Sequence, residues 1–108
     1  MPHDPHLAER MRTALARREG ISERPMFGGI CWMLNGNMLC GVEVGRFMFR
    51  VGKDLEAKAL AKPGAELIAF NGRPMGGLVW VDETACRGRK LEGWIDLAAR
   101  FVRTLPPK

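Results

Sequence analysis

Four sulfur-bearing side chains, Cys31, Met33, Met38 and Cys40, flank the dipeptide Asn35-Gly36. Asn-Gly suits a two-residue type I′ hairpin turn, in which both central residues need positive φ. With that turn, Leu34 pairs with Asn37, Met33 faces Met38, Trp32 faces Leu39 and Cys31 faces Cys40, so the four sulfurs share one face. Thiolate and thioether groups select soft metals such as Cu(I). Cysteines opposed in a non-hydrogen-bonded pair have Cα atoms about 4.5 Å apart, within reach of a disulfide. The same residue types also serve as pliable core hydrophobes. Val42, Val44, Phe47, Phe49 and Val51 fall on the same predicted face, which favours a core, so no metal site and no cofactor is expected.

The remaining chemistry-bearing residues form no catalytic set. His3, Asp4 and His6 have metal-ligating side chains, but they cluster at a terminus that is expected to fray. Pro2 also removes an amide nitrogen that terminal copper or nickel sites use. Ser22 is the only serine, and a cysteine nucleophile needs a neighbouring base, whereas both histidines lie in the first six residues. The chain is therefore read as no enzyme. Two glycine-rich turns, Arg24 with Gly28-Gly29 and Arg73 with Gly76-Gly77, could together offer backbone N–H groups and guanidinium donors to an anion. Their spacing is neither a P-loop nor a dinucleotide fingerprint, and tight turns need such glycines anyway.

These residues must be positioned by a meander. Gly45-Arg46 reads as a type II′ turn that pairs Val44 with Phe47, Glu43 with Met48 and Val42 with Phe49. The opposite face would then carry Ile30, Trp32, Leu34, Leu39, Glu43, Met48 and Arg50. Ile30, Trp32, Leu39 and Met48 are too apolar to stay wet, so a second subunit or a protein partner is expected to cover them. A one-residue slip would exchange the two faces. Before the meander, Leu7, Met11, Ala14 and Leu15 fall on one side of a helix over 5–18, with Asp4 as N-cap, Pro5 as first residue and Gly20 as stop. Ile21–Phe27 reads as an edge strand, because Pro25 cannot donate to a ladder, and Gly28-Gly29 as a turn or bulge. After the meander come a short helix over 54–61, a strand over 67–70, a loop over 71–77 and a strand over 78–82. A last helix is marked by Leu91, Trp94, Ile95, Ala98, Phe101, Val102 and Leu105, and Pro106-Pro107 ends it. The order α-β-β-β-β-α-β-β-α implies one α+β domain, a two-layer sandwich with helices on one face of an antiparallel sheet.

The 108 residues suffice for a single core. No apolar run approaches the length of a membrane span, and MPHDPHLAER lacks a signal-peptide core, so a cytoplasmic protein without membrane contact is expected. Three cysteines argue against a disulfide framework. The net charge of +5 meets one criterion for a nucleic-acid binder. However, the arginines are dispersed and not interleaved with aromatics, so a solvated basic surface is favoured over nucleic-acid contact. Arg87, Arg89 and Lys90 oppose the dipole of the last helix, which asks for an anionic partner or a carboxylate such as Glu83 or Glu92.

Arg24-Pro25-Met26-Phe27-Gly28-Gly29, Asn35-Gly36-Asn37-Met38 with Cys40-Gly41, Phe70-Asn71-Gly72-Arg73-Pro74-Met75 with Gly77, and Trp80-Val81-Asp82 resemble the TfoX N-terminal domain family. The resemblance runs from the first helix to Leu105-Pro106-Pro107-Lys108. It implies a secretion-chaperone-like α+β sandwich and a role related to bacterial competence regulators, which carry a further helical domain after this one. It supplies no catalytic residues. The expected function is a non-catalytic, homodimeric protein-interaction or regulatory domain. The alternatives are a nucleic-acid-associated accessory protein and a small-ligand or soft-metal binder.

Overall fold

The computed structural model describes residues 5–26 and 29–108. Six strands form one antiparallel sheet: β1 (Ile21–Met26), β2 (Gly29–Leu34), β3 (Asn37–Glu43), β4 (Arg46–Arg50), β5 (Ala65–Phe70) and β6 (Arg73–Asp82). Their order across the sheet is β1-β2-β3-β4-β6-β5. Helices α1 (Pro5–Leu15), α2 (Glu56–Leu60) and α3 (Lys90–Val102) complete the fold. The α+β class and the element order agree with the sequence reading. β1 lies at the sheet edge with Pro25 in it, as a residue without an N–H requires. The predicted N-cap Asp4, and Phe27 and Gly28 of the first strand and turn, fall outside the described residues.

The hairpin turn at 35–36 is confirmed, with φ of 53° at Asn35 and 83° at Gly36. The register beyond it differs from the simple ladder. Leu34 pairs with Asn37 and Met33 with Met38, but Trp32 then pairs with Cys40 and Cys31 with Gly41. Leu39 is the extra residue of a β-bulge, so the side chains of β2 beyond the bulge change partners and faces relative to β3. The second turn is also displaced: Glu43 pairs with Arg46 and Val42 with Phe47, which makes Val44-Gly45 the central residues. This displacement moves each residue's partner by two positions, an even step, so Val42, Phe47 and Phe49 still share a face. Val44 does not join them; it sits at the turn, 62% exposed.

The helix-covered face holds the main core. Trp32, Leu39, Cys40, Phe47, Phe49 and Val51 meet Leu7, Met11 and Leu15 of α1, Ala59 of α2, and Trp94, Ile95 and Val102 of α3. Phe49 stacks on Trp94 with ring centroids 5.4 Å apart, a geometry worth about 1 kcal/mol beyond burial. Glu23 fastens the edge strand to this layer. Its carboxylate accepts from Arg12 Nε and Nη2 of α1, both at 2.9 Å, and from Trp32 Nε1 at 3.1 Å. Asn37, the one buried polar side chain among the described residues, donates from Nδ2 to Pro106 O at 2.9 Å. Lys108 N donates to Asn35 O, so the chain end closes over the first hairpin turn.

The segment 71–77, expected as a loop, is a second Asn-Gly hairpin. Asn71 and Gly72 have φ of 52° and 76°, and β6 begins directly at Arg73. The register of β5 and β6 shifts between Leu67 and Ala69. Gly77, with φ of 83°, lies where β6 presses on the chain after β4, and its carbonyl accepts from Val51 N and Gly52 N. A Cβ on Gly77 would come within 2.8 Å of the Gly52 backbone, whereas one on Gly72, at a similar φ, would meet nothing within 4 Å. Gly72→Ala should therefore cost only the left-handed backbone penalty, about 1 kcal/mol. Gly77→Ala adds a backbone clash and should cost about 3 kcal/mol. Urea unfolding of the two variants measures the difference, and equal losses would contradict this packing.

Candidate functional site

The bulge takes Cys40 out of the sulfur quartet and leaves Cys31, Met33 and Met38 together. Cys40 lies in the main core, its thiol 3.7 Å from Met11 Sδ. Cys31 and Met33 lie on the other face with Met48, Ile68 and Leu78, packed against Met26, Met38 and Trp80. The predicted Cys31–Cys40 opposition is thus corrected: Cys31 faces Gly41, and all three cysteines are free and buried. Among the described residues, no group of three His, Cys, Asp or Glu side chains could hold a metal ion. His3 and Asp4 of the N-terminal trio fall outside the described residues.

The expected interface residues separate in the same way. Trp32 and Leu39 are 2% and 0% exposed beneath the helices, and Ile30 packs against that core from its margin. Only Met48 of the four lies on the helix-free face. That face is nonetheless apolar. Cys31 Sγ and Met48 Cε both sit over Gly41, each 3.1 Å from where a Cβ would stand. Met26, Met38 and Trp80 remain half-buried around this centre. Arg46 borders it, its guanidinium 3.9 Å from the centre of the Trp80 ring and paired with Glu43 at 2.8 Å and Glu66 at 3.6 Å. The residues were legible one by one as apolar. Their assembly on this face depended on a bulge and on β6, which no local pattern reveals.

The expected anion-binding turns are not brought together. Arg24 is on edge strand β1, and Arg73 is on β6 near the other edge. Gly28 falls outside the described residues, and Gly29 begins β2. The backbone N–H of Gly77 already has an anion, the carboxylate of Glu56, at 3.0 Å. Gly76 lies against the aliphatic stem of Lys53. The glycines serve the hairpin and its contact with α2.

The electrostatics of the cysteines follow from burial. Desolvation raises the pKa of Cys31, Cys40 and Cys86. Cys86 is pushed up to about 12 from an ordinary 9.0, although nearby Arg10 and Lys62 act in the opposite sense. All three are therefore thiols, not thiolate nucleophiles, near neutral pH. The folded state binds the Cys86 proton more tightly than the unfolded chain. Its contribution to stability is complete below pH 9 and declines as pH rises from about 9 to about 12. Thermal unfolding across that range should show a smaller decline for Cys86→Val than for the unsubstituted protein; parallel declines would show that the thiol is not the source.

A fold built on Asn-Gly hairpins, with one sheet face under helices and one bare, can be set against known proteins. No curated protein and no solved structure matches the chain. The family model of the TfoX N-terminal domain matches residues 13–102, from α1 through the whole sheet to the last residue of α3. The chain belongs to the TfoX N-terminal domain family.

Proposed function

We propose that this TfoX N-terminal domain is a non-catalytic regulatory module that works by protein contact, pairing with a second copy through the helix-free face of its sheet. One observation carries the reading. A buried apolar centre of Cys31, Met33, Met48, Ile68 and Leu78 is ringed by half-buried Met26, Met38 and Trp80 and bordered by charged Arg46, Glu43 and Glu66, with no helix among the described residues laid over it. An apolar centre with a charged rim, rich in Met, Trp and Arg, is the usual anatomy of a protein interface. Long methionine side chains adapt to an opposing surface. The non-catalytic part of the reading is supported by the protonated state of the thiols and by the Gly77 N–H, which is occupied by the chain's own Glu56. Free cysteines suit a reducing compartment such as the cytoplasm. Among the described residues, no helix is long and apolar enough to cross a membrane.

Light scattering coupled to size exclusion tests the pairing. At about 100 μM the protein should run at twice its 12.1 kDa chain mass. Met38→Glu, at the half-buried rim, should return it to a monomer with its circular dichroism unchanged, because a desolvated carboxylate in an interface costs several kcal/mol. A monomeric unsubstituted protein, or a variant that keeps the dimer mass, would refute self-association through this face.

A further inference from the structure

The two terminal helical segments, far apart in sequence, are neighbours in space and hold the whole excess of positive charge. Residues 5–20 and 87–108 carry ten Lys and Arg against four Asp and Glu, whereas residues 21–86 carry seven of each. α1 and α3 pack side by side over the same sheet face. One open groove between them is lined by His6, Arg10 and Arg89 with Glu9 and Glu92; another, of about 530 Å³, by Arg18 and Arg103 with Glu19.

We infer that the outer surface of α1 and α3 binds the phosphate backbone of duplex nucleic acid without reading its sequence. Three features select that partner. First, eight of the ten basic residues are arginine, whose planar fork matches phosphate oxygens. Second, the charges on α3 are aligned. Arg89, Asp96, Arg100 and Arg103 fall on one helical stripe with Glu92 at its margin, Asp96 is already paired with Arg18, and Arg89, Arg100 and Arg103 are exposed, three guanidinium groups against one further carboxylate. Arg89 and Arg100 are eleven positions apart, about 16 Å along the axis, enough to reach both backbones flanking a major groove of about 12 Å. Third, no aromatic or large aliphatic side chain is exposed on these helices. Trp94 is 2% exposed, and the exposed large hydrophobics among the described residues, Val44, Leu60 and Met75, all lie elsewhere. Single strands are held by stacking on aromatic rings, and amphipathic helices enter bilayers with apolar side chains. This layer offers neither.

Fluorescence anisotropy with two unrelated 20-base-pair DNA duplexes tests the inference. Both should bind with the same affinity at 50 mM salt and lose about 10²-fold by 200 mM, as about four phosphate contacts require. Two double variants change net charge equally. Arg100→Glu with Arg103→Glu should weaken binding more than tenfold, and Arg24→Glu with Arg73→Glu, on the sheet, less than threefold. All four positions are exposed, so circular dichroism should stay unchanged. The inference is overturned by no binding at 50 mM salt or by equal losses in the two variants. Tighter binding to a single strand of the same length, or to phosphatidylserine vesicles, would overturn it as well.

Discussion

The extra residue at Leu39 is the constraint on which the rest of this fold depends. Without it, the ladder that leaves the Asn35-Gly36 turn would send Trp32 outward and bring Cys31 inward. With it, Trp32 and Cys40 pair on the helix side, while Cys31 and Met33 go to the bare side. Trp32 then supplies one of the largest fully buried side chains and carries its indole N–H to Glu23. Glu23 in turn holds Arg12 of α1. The bulge thus locates the first helix as well as the hairpin. Burying a tryptophan and satisfying its N–H together outweigh the ladder pairing that the extra residue gives up.

The division of side chains explains why the two sheet faces differ in kind. The covered face is filled by aromatic rings and branched aliphatics locked against α1 and α3. The bare face is dominated by thioethers, with a thiol, Ile68, Leu78 and one indole under a guanidinium. Rigid groups pack where partners are fixed; unbranched sulfur side chains adapt where they are not. Charge follows a parallel division, since the terminal helices are basic and the sheet with α2 is neutral.

Features carried by single residues were legible in the sequence. Asn35-Gly36 marks its turn, Pro25 marks an edge, and the spacing of Leu91, Trp94, Ile95, Ala98 and Val102 marks the last helix. Features that arise from pairing were not. A bulge has no residue signature here, because Leu39 is as apolar as its neighbours. Gly45 suits either of two adjacent turns, and Val44 has the propensity of a strand residue yet ends at the tip. Asn71-Gly72 bears the same mark as the first turn, but Pro74, Gly76 and Gly77 obscured the strand that follows. The candidate interface was legible as a surplus of apolar groups beyond what one face can hold, while its members depended on register. The basic layer was invisible for a simpler reason: its two halves meet only when residue 18 and residue 96 come together.

The placement of the three tryptophans has an optical consequence. Trp32 and Trp94 emit from the dry interior, one bonded to a carboxylate and the other stacked on Phe49 with the Lys62 ammonium 5.1 Å from its ring centre. Trp80 emits from the opposite side, beneath the Arg46 guanidinium and half open to solvent. External quenchers therefore reach one indole and not the other two, and the chain carries its own spectroscopic label on the one surface that its helices leave uncovered.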